Sequence, residues 1–66
     1  MPTHTVVTDF QTIGTASDDA VCDAIAHAAT VNLGDGLSGH LMYGASGRPV
    51  EDEDDAVIIV DVERGP

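Results

Sequence analysis

Residues 56–63 read Ala56-Val57-Ile58-Ile59-Val60-Asp61-Val62-Glu63. At the two-residue period of an extended chain, Ala56, Ile58, Val60 and Val62 make one wholly apolar face. The other face begins apolar, with Val57 and Ile59, and ends charged, with Asp61 and Glu63. The density of β-branched side chains marks this stretch as a strand. A strand that is apolar on both sides for half its length needs cover on both sides, so the question for the rest of the chain is what supplies it.

Working outward, residues 51–55 are Glu-Asp-Glu-Asp-Asp, an acidic loop that belongs in water. Before it, Gly44-Ala45-Ser46-Gly47-Arg48-Pro49 is a loop of structure breakers. Residues 37–43 alternate again: Leu37, Gly39, Leu41 and Tyr43 share one face, and Ser38, His40 and Met42 share the other. Residues 17–32 change period. Ala20, Val21, Ala24, Ile25 and Ala28 fall on one stripe at helical spacing. Thr15 or Ser17 can cap the start, Asp18 and Asp19 in the first turn suit the helix dipole, and Gly34 is a plausible stop before an Asp35-Gly36 turn. Residues 5–13 contain Val6, Val7, Phe10 and Ile13 among threonines, and read as a first strand that Gly14 ends.

The order β-α-β-β in 66 residues predicts a single acidic α+β domain, with one helix packed on a three-stranded mixed sheet. A helix of this length spans ~24 Å at 1.5 Å per residue, and strands of seven or eight residues span ~25 Å at 3.3 Å each. One helix therefore covers one sheet face. A helical crossover places the first two strands parallel, and the last two form a hairpin across the acidic connection. The face away from the helix would carry Val7, Ile13, Met42, Val57 and Ile59. An exposed apolar patch of that kind marks an interface.

Composition sets the solvent condition. Twelve acidic residues stand against two arginines, Arg48 and Arg64; lysine is absent and the formal net charge is -10. Self-repulsion on that scale opposes compaction in dilute buffer, and the Debye length falls from ~10 Å at 0.1 M salt to ~3 Å at 1 M. Acidic excess, no lysine and many small residues resemble the proteins of salt-accumulating halophiles. The same charge argues against nucleic acid as a partner, since phosphate binding needs clustered cations. No apolar run approaches the ~20 residues of a membrane span, and the first residues lack the features of a signal peptide. A cytoplasmic location is the expectation. Cys22 is the one cysteine, so no internal disulfide stabilises a domain of this size.

The chemistry-bearing residues point to no reaction. Asp23 and His27 are spaced i, i+4 on the helix, but two ligands do not complete a structural metal site, and no metal is expected. The 51–55 tract lacks the spacing of a calcium loop and suits a diffuse hydrated cation layer. Cys22, between Asp19 and Asp23, is expected as a small packed residue rather than a reactive thiol. Ser38 and His40 share a strand face with no orienting acid apparent. The one ligand signal is Gly44, Ser46, Gly47 and Arg48: amides of such a loop can form an anion nest, and a guanidinium can fork a phosphate or carboxylate. No cofactor is indicated.

The element order and length are similar to those of dodecins, small flavin-binding proteins that assemble into hollow shells. The likeness is one of order alone, and this chain has no tryptophan to stack a flavin, so no site residue carries over. The expected function is a non-enzymatic oligomeric or docking module of a salt-adapted cell, joined to itself or to a larger protein assembly through the second sheet face. The alternatives are a small-ligand binder with its ligand at a subunit interface, and a structural subunit of a large particle.

Overall fold

A computed structural model describes residues 5–31 and 38–64. Its elements are β1 (Thr5–Thr12), α1 (Asp18–Thr30), β2 (Ser38–Tyr43), a 3-10 turn (Glu53–Asp55) and β3 (Ile58–Arg64). The α+β class and the single helix on a three-stranded sheet are as the sequence predicts. The expected helix stop at Gly34, the Asp35-Gly36 turn and the start of the second strand at Leu37 lie outside the described residues.

The sheet is antiparallel throughout rather than mixed. Its order is β1-β3-β2, and β3 pairs antiparallel with both neighbours. β1 and β2 still run the same way, but β3 lies between them, so they share no ladder. The physical reason is the composition of β3. A strand apolar on both faces is best placed at the centre, where both edges are hydrogen-bonded and no backbone faces water.

Helix α1 forms where its stripe and caps agree. The Ser17 hydroxyl accepts from the Ala20 N–H at 3.1 Å, Asp18 and Asp19 occupy the first turn, and Val31 closes the end. Ala20, Ala24 and Ala28 are buried. Alanines four apart bring the helix backbone close to the sheet, and the bulk of the core comes from the strands: Tyr43, Ile58, Val60 and Val62 are all buried to 1% exposure or less. Val21, Ile25 and Leu41 flank this core. Cys22 corrects the expectation of a packed residue, because it is exposed; it follows Val21 on the turn away from the alanine stripe.

The long β2–β3 connection folds back on β2. Pro49 bridges Tyr43, and the Val50 N–H donates to the Met42 carbonyl at 3.0 Å. This covers part of the β2 edge, with a proline where no donor is needed. The acidic loop is an ordered turn: the Asp52 carboxylate accepts from the Asp54 N–H at 3.0 Å, and residues 51–55 are all exposed. Val57 is tied to both sides before β3 begins. Its N–H donates to the Tyr43 carbonyl at 2.8 Å, and its carbonyl accepts from the Ile13 N–H at 2.7 Å.

A polar contact joins helix to sheet. His27 Nδ1 lies 2.9 Å from the Tyr43 hydroxyl, with the two rings edge to face, 5.6 Å apart. Burial raises the Tyr43 pKa above its ordinary value of 10.0 by disfavouring the charged phenolate. The folded state therefore holds this proton more tightly than the unfolded chain. The stabilisation is fully present below pH 10 and is lost as pH rises through the folded-state pKa. Tyr43 is the one tyrosine, so tyrosinate absorbance reports this group alone. Tyr43→Phe is expected to cost about 1 kcal/mol at neutral pH and to remove the tyrosine-linked fall in stability above pH 10, measured by denaturant titration across that range. An unchanged alkaline slope would exclude burial of this hydroxyl.

Candidate functional site

The sheet face opposite α1 is built from alternate residues of three strands, and the register arranges them in rows. Ile13 and Val57 meet at one end. Next come Gln11, Ile59 and Met42, then Asp9, Asp61 and His40, then Glu63 opposite Ser38. The face runs from apolar to acidic along the strands. Ile13 is 56% exposed, and Met42, Val57 and Ile59 are half-buried.

Of the five residues expected here, Met42 and Ile59 are cross-strand neighbours, Ile13 is joined to Val57 by a backbone hydrogen bond, and Val57 also packs against the buried core. Val7 does not join them by register: it is paired with Val62, a core position, and its side chain lies outside the described residues. The register shifts between Val7 and Asp9, which is a β-bulge at Thr8. One extra residue shifts the alternation, so position 7 is out of phase with positions 9 and 11 along β1. The Thr8 hydroxyl donates to the Asp61 carbonyl at 3.3 Å across the bulge.

The sequence puts Asp61 and Glu63 at the charged end of the face that holds Ile59, but it does not show what they meet on the neighbouring strands. His40 Nδ1 and Asp61 Oδ1 are hydrogen-bonded across β2 and β3, the one ion pair among the described residues when His40 is protonated. At 73% and 43% side-chain exposure the pair contributes little to stability. The signal was present in the alternation, which puts His40 with Met42 and Asp61 with Ile59, but joining the two needed the hairpin register. Asp9 also acts at an edge: its carboxylate accepts from the Phe10 N–H at 2.8 Å. A groove of about 360 Å³ lies on the face between Gln11, His40, Met42, Ile59 and Glu53 of the acidic turn. It joins apolar floor to carboxylate rim.

The glycine loop is built differently from an anion nest. The Gly44 N–H donates to the Arg48 carbonyl and the Gly47 N–H to the Gly44 carbonyl, both at 2.9 Å, so two amides of the candidate cradle are used within the turn. Gly44 and Gly47 are buried, while Ser46 and Arg48 are exposed. Gly47 has φ +82 and packs on the first turn of α1. Among the described residues no group of three or more His, Cys, Asp or Glu is placed to hold a metal, and none of the helices is long and apolar enough to cross a membrane.

No protein-family model, curated protein or solved structure matches this chain.

Proposed function

We propose that this chain is a non-enzymatic docking module of a salt-adapted cell, whose open sheet face closes against another protein surface. The observation that supports the reading is a three-stranded sheet with one helix among the described residues, with Met42 and Ile59 only half-buried as cross-strand neighbours and Ile13 largely exposed. Burial of apolar surface is worth ~25 cal/mol per Å², so covering this end of the sheet drives association. Net charge of -10 with no lysine supports the salt-adapted part: the surface stays hydrated and its repulsion is screened where salt is concentrated.

The native particle, isolated from its own cells in ~2–3 M KCl, a range that keeps the Debye length at a few Å, is expected to carry a second protein and to sediment well above the mass of one chain. Ile59→Asp puts a charge in the middle of the apolar rows and should reduce it to the single chain, with the far-ultraviolet dichroism of α1 unchanged. A native particle, isolated from its own cells, at the mass of one chain and carrying no other protein would remove the reading; the recombinant chain by itself reports only on whether the occupant is a second copy.

A further inference from the structure

Resting on that reading, we infer that the occupant of the open face is an extended polypeptide segment carrying arginine or lysine beside an apolar anchor, and not a second copy of this chain. Charge selects the occupant. Asp9, Glu53, Asp61 and Glu63 stand beside or among the rows that hold Ile59 and Met42. Any body that covers Ile59 and Met42 takes water away from these carboxylates. A desolvated charge must be paired or its cost falls on the complex, and salt does not remove that cost, because screening acts through water. A second copy brings the same carboxylates. Its cations are Arg48 and Arg64 against twelve acidic residues, so even both arginines placed at the contact would leave carboxylates in excess.

The spacing fits the same occupant. Ile59 and Asp61 are two residues apart on β3, about 6.6 Å at 3.3 Å per residue. Side chains at i and i+2 of an extended segment are the same distance apart and point the same way. An apolar side chain in the groove floored by Met42 and Ile59 therefore brings a basic side chain two positions on to the row of Asp9, Asp61 and His40. Electrostatic match of this kind sets which partners are accepted more than how tightly they bind.

The test uses the recombinant chain alone in ~2 M KCl, chosen to screen long-range attraction, and two peptides, one repeating Leu-Ser-Arg-Ser and one repeating Leu-Ser-Glu-Ser. The chain should sediment as a single copy. The arginine peptide should shift amide resonances of residues 9–13, 39–42 and 57–63 and bind at least roughly tenfold more tightly than the glutamate peptide. Asp61→Asn should weaken it about threefold to fivefold, and Ile59→Asp should abolish it with the fold intact. If the chain dimerises through Ile59 and ignores the arginine peptide, the occupant is a second copy: this inference falls and the docking function stands. Equal binding of the two peptides, no binding of either, or shifts confined to other residues also overturns it.

Discussion

Gly47→Ala is expected to unfold a large part of the population. A chain of 66 residues has about 3–10 kcal/mol of stability at 0.05–0.15 kcal/mol per residue. Gly47 has φ +82, in the left-handed region that costs a side-chain-bearing residue about 1–3 kcal/mol. A second penalty adds to the first. A Cβ at position 47 would lie 2.5 Å from the Ala20 carbonyl oxygen and 3.0 Å from its Cα, and these are backbone atoms of the first helical turn that cannot swing aside. The sum is about 3 kcal/mol or more, a large fraction of the whole. Gly44→Ala is the control: its Cβ would meet a Val50 methyl at 3.3 Å, a side-chain contact that can give, and the cost should stay below about 1 kcal/mol. Gly47→Asn separates the two causes. Asparagine tolerates the left-handed conformation but brings the same Cβ, so it should recover the conformational part of the loss and keep the part due to the clash with Ala20. Denaturant midpoints in ~2 M KCl, where repulsion is screened, measure all three. A Gly47→Ala midpoint equal to the wild type would mean that the loop does not rest on α1.

That contact explains what the sequence shows and hides. The loop of residues 44–48 was visible as a turn, and its glycines suggested a cradle for an anion. What Gly47 serves is decided by a helix far earlier in the chain: a Cβ there would run into the backbone of Ala20. The same division runs through the molecule. The strand at residues 56–63 and the alanine stripe of α1 were legible because their apolar residues repeat at the period of the element that holds them, and local pattern is all that is needed. The pairing of His27 with Tyr43 was not, since it joins two elements whose approach is set by the buried alanines between them. The antiparallel sheet was missed because two strands joined by a helix need not be neighbours; the third, more apolar strand takes the central place. Val7 falls out of phase with Asp9 and Gln11 for a single local reason. Counting by twos from Ile13 through Gln11 and Asp9 leads to position 7, and the bulge at Thr8 breaks the count. Of the open face, the apolar end could be read from residues 56–63 alone. Asp61 and Glu63 at its acidic end are legible there too, but their neighbours needed the register that sets His40 against Asp61 and Asp61 against Asp9.

Ile58→Ala and Ile59→Ala should differ widely although the residues are adjacent and chemically identical. Ile58 has no exposed surface and sits between Thr12 and Tyr43 under α1. Truncating it leaves a cavity where the helix contributes alanines too short to refill the space, and the loss should be about 2–5 kcal/mol. On a domain of this size that leaves much of the chain unfolded at ordinary temperature. Ile59 is half-buried, between Gln11 and Met42 on the face that meets solvent in a single chain. Its truncation should cost the isolated chain under about 1.5 kcal/mol, since part of its surface is already in water. The loss should appear in docking instead. The contrast tests the register on which the docking argument rests, because a slip of one residue along β3 would exchange the two faces and with them the two effects. Equal destabilisation by both substitutions in the monomeric chain would mean that both sides of β3 are enclosed within one subunit, and no open face would remain for a partner to cover.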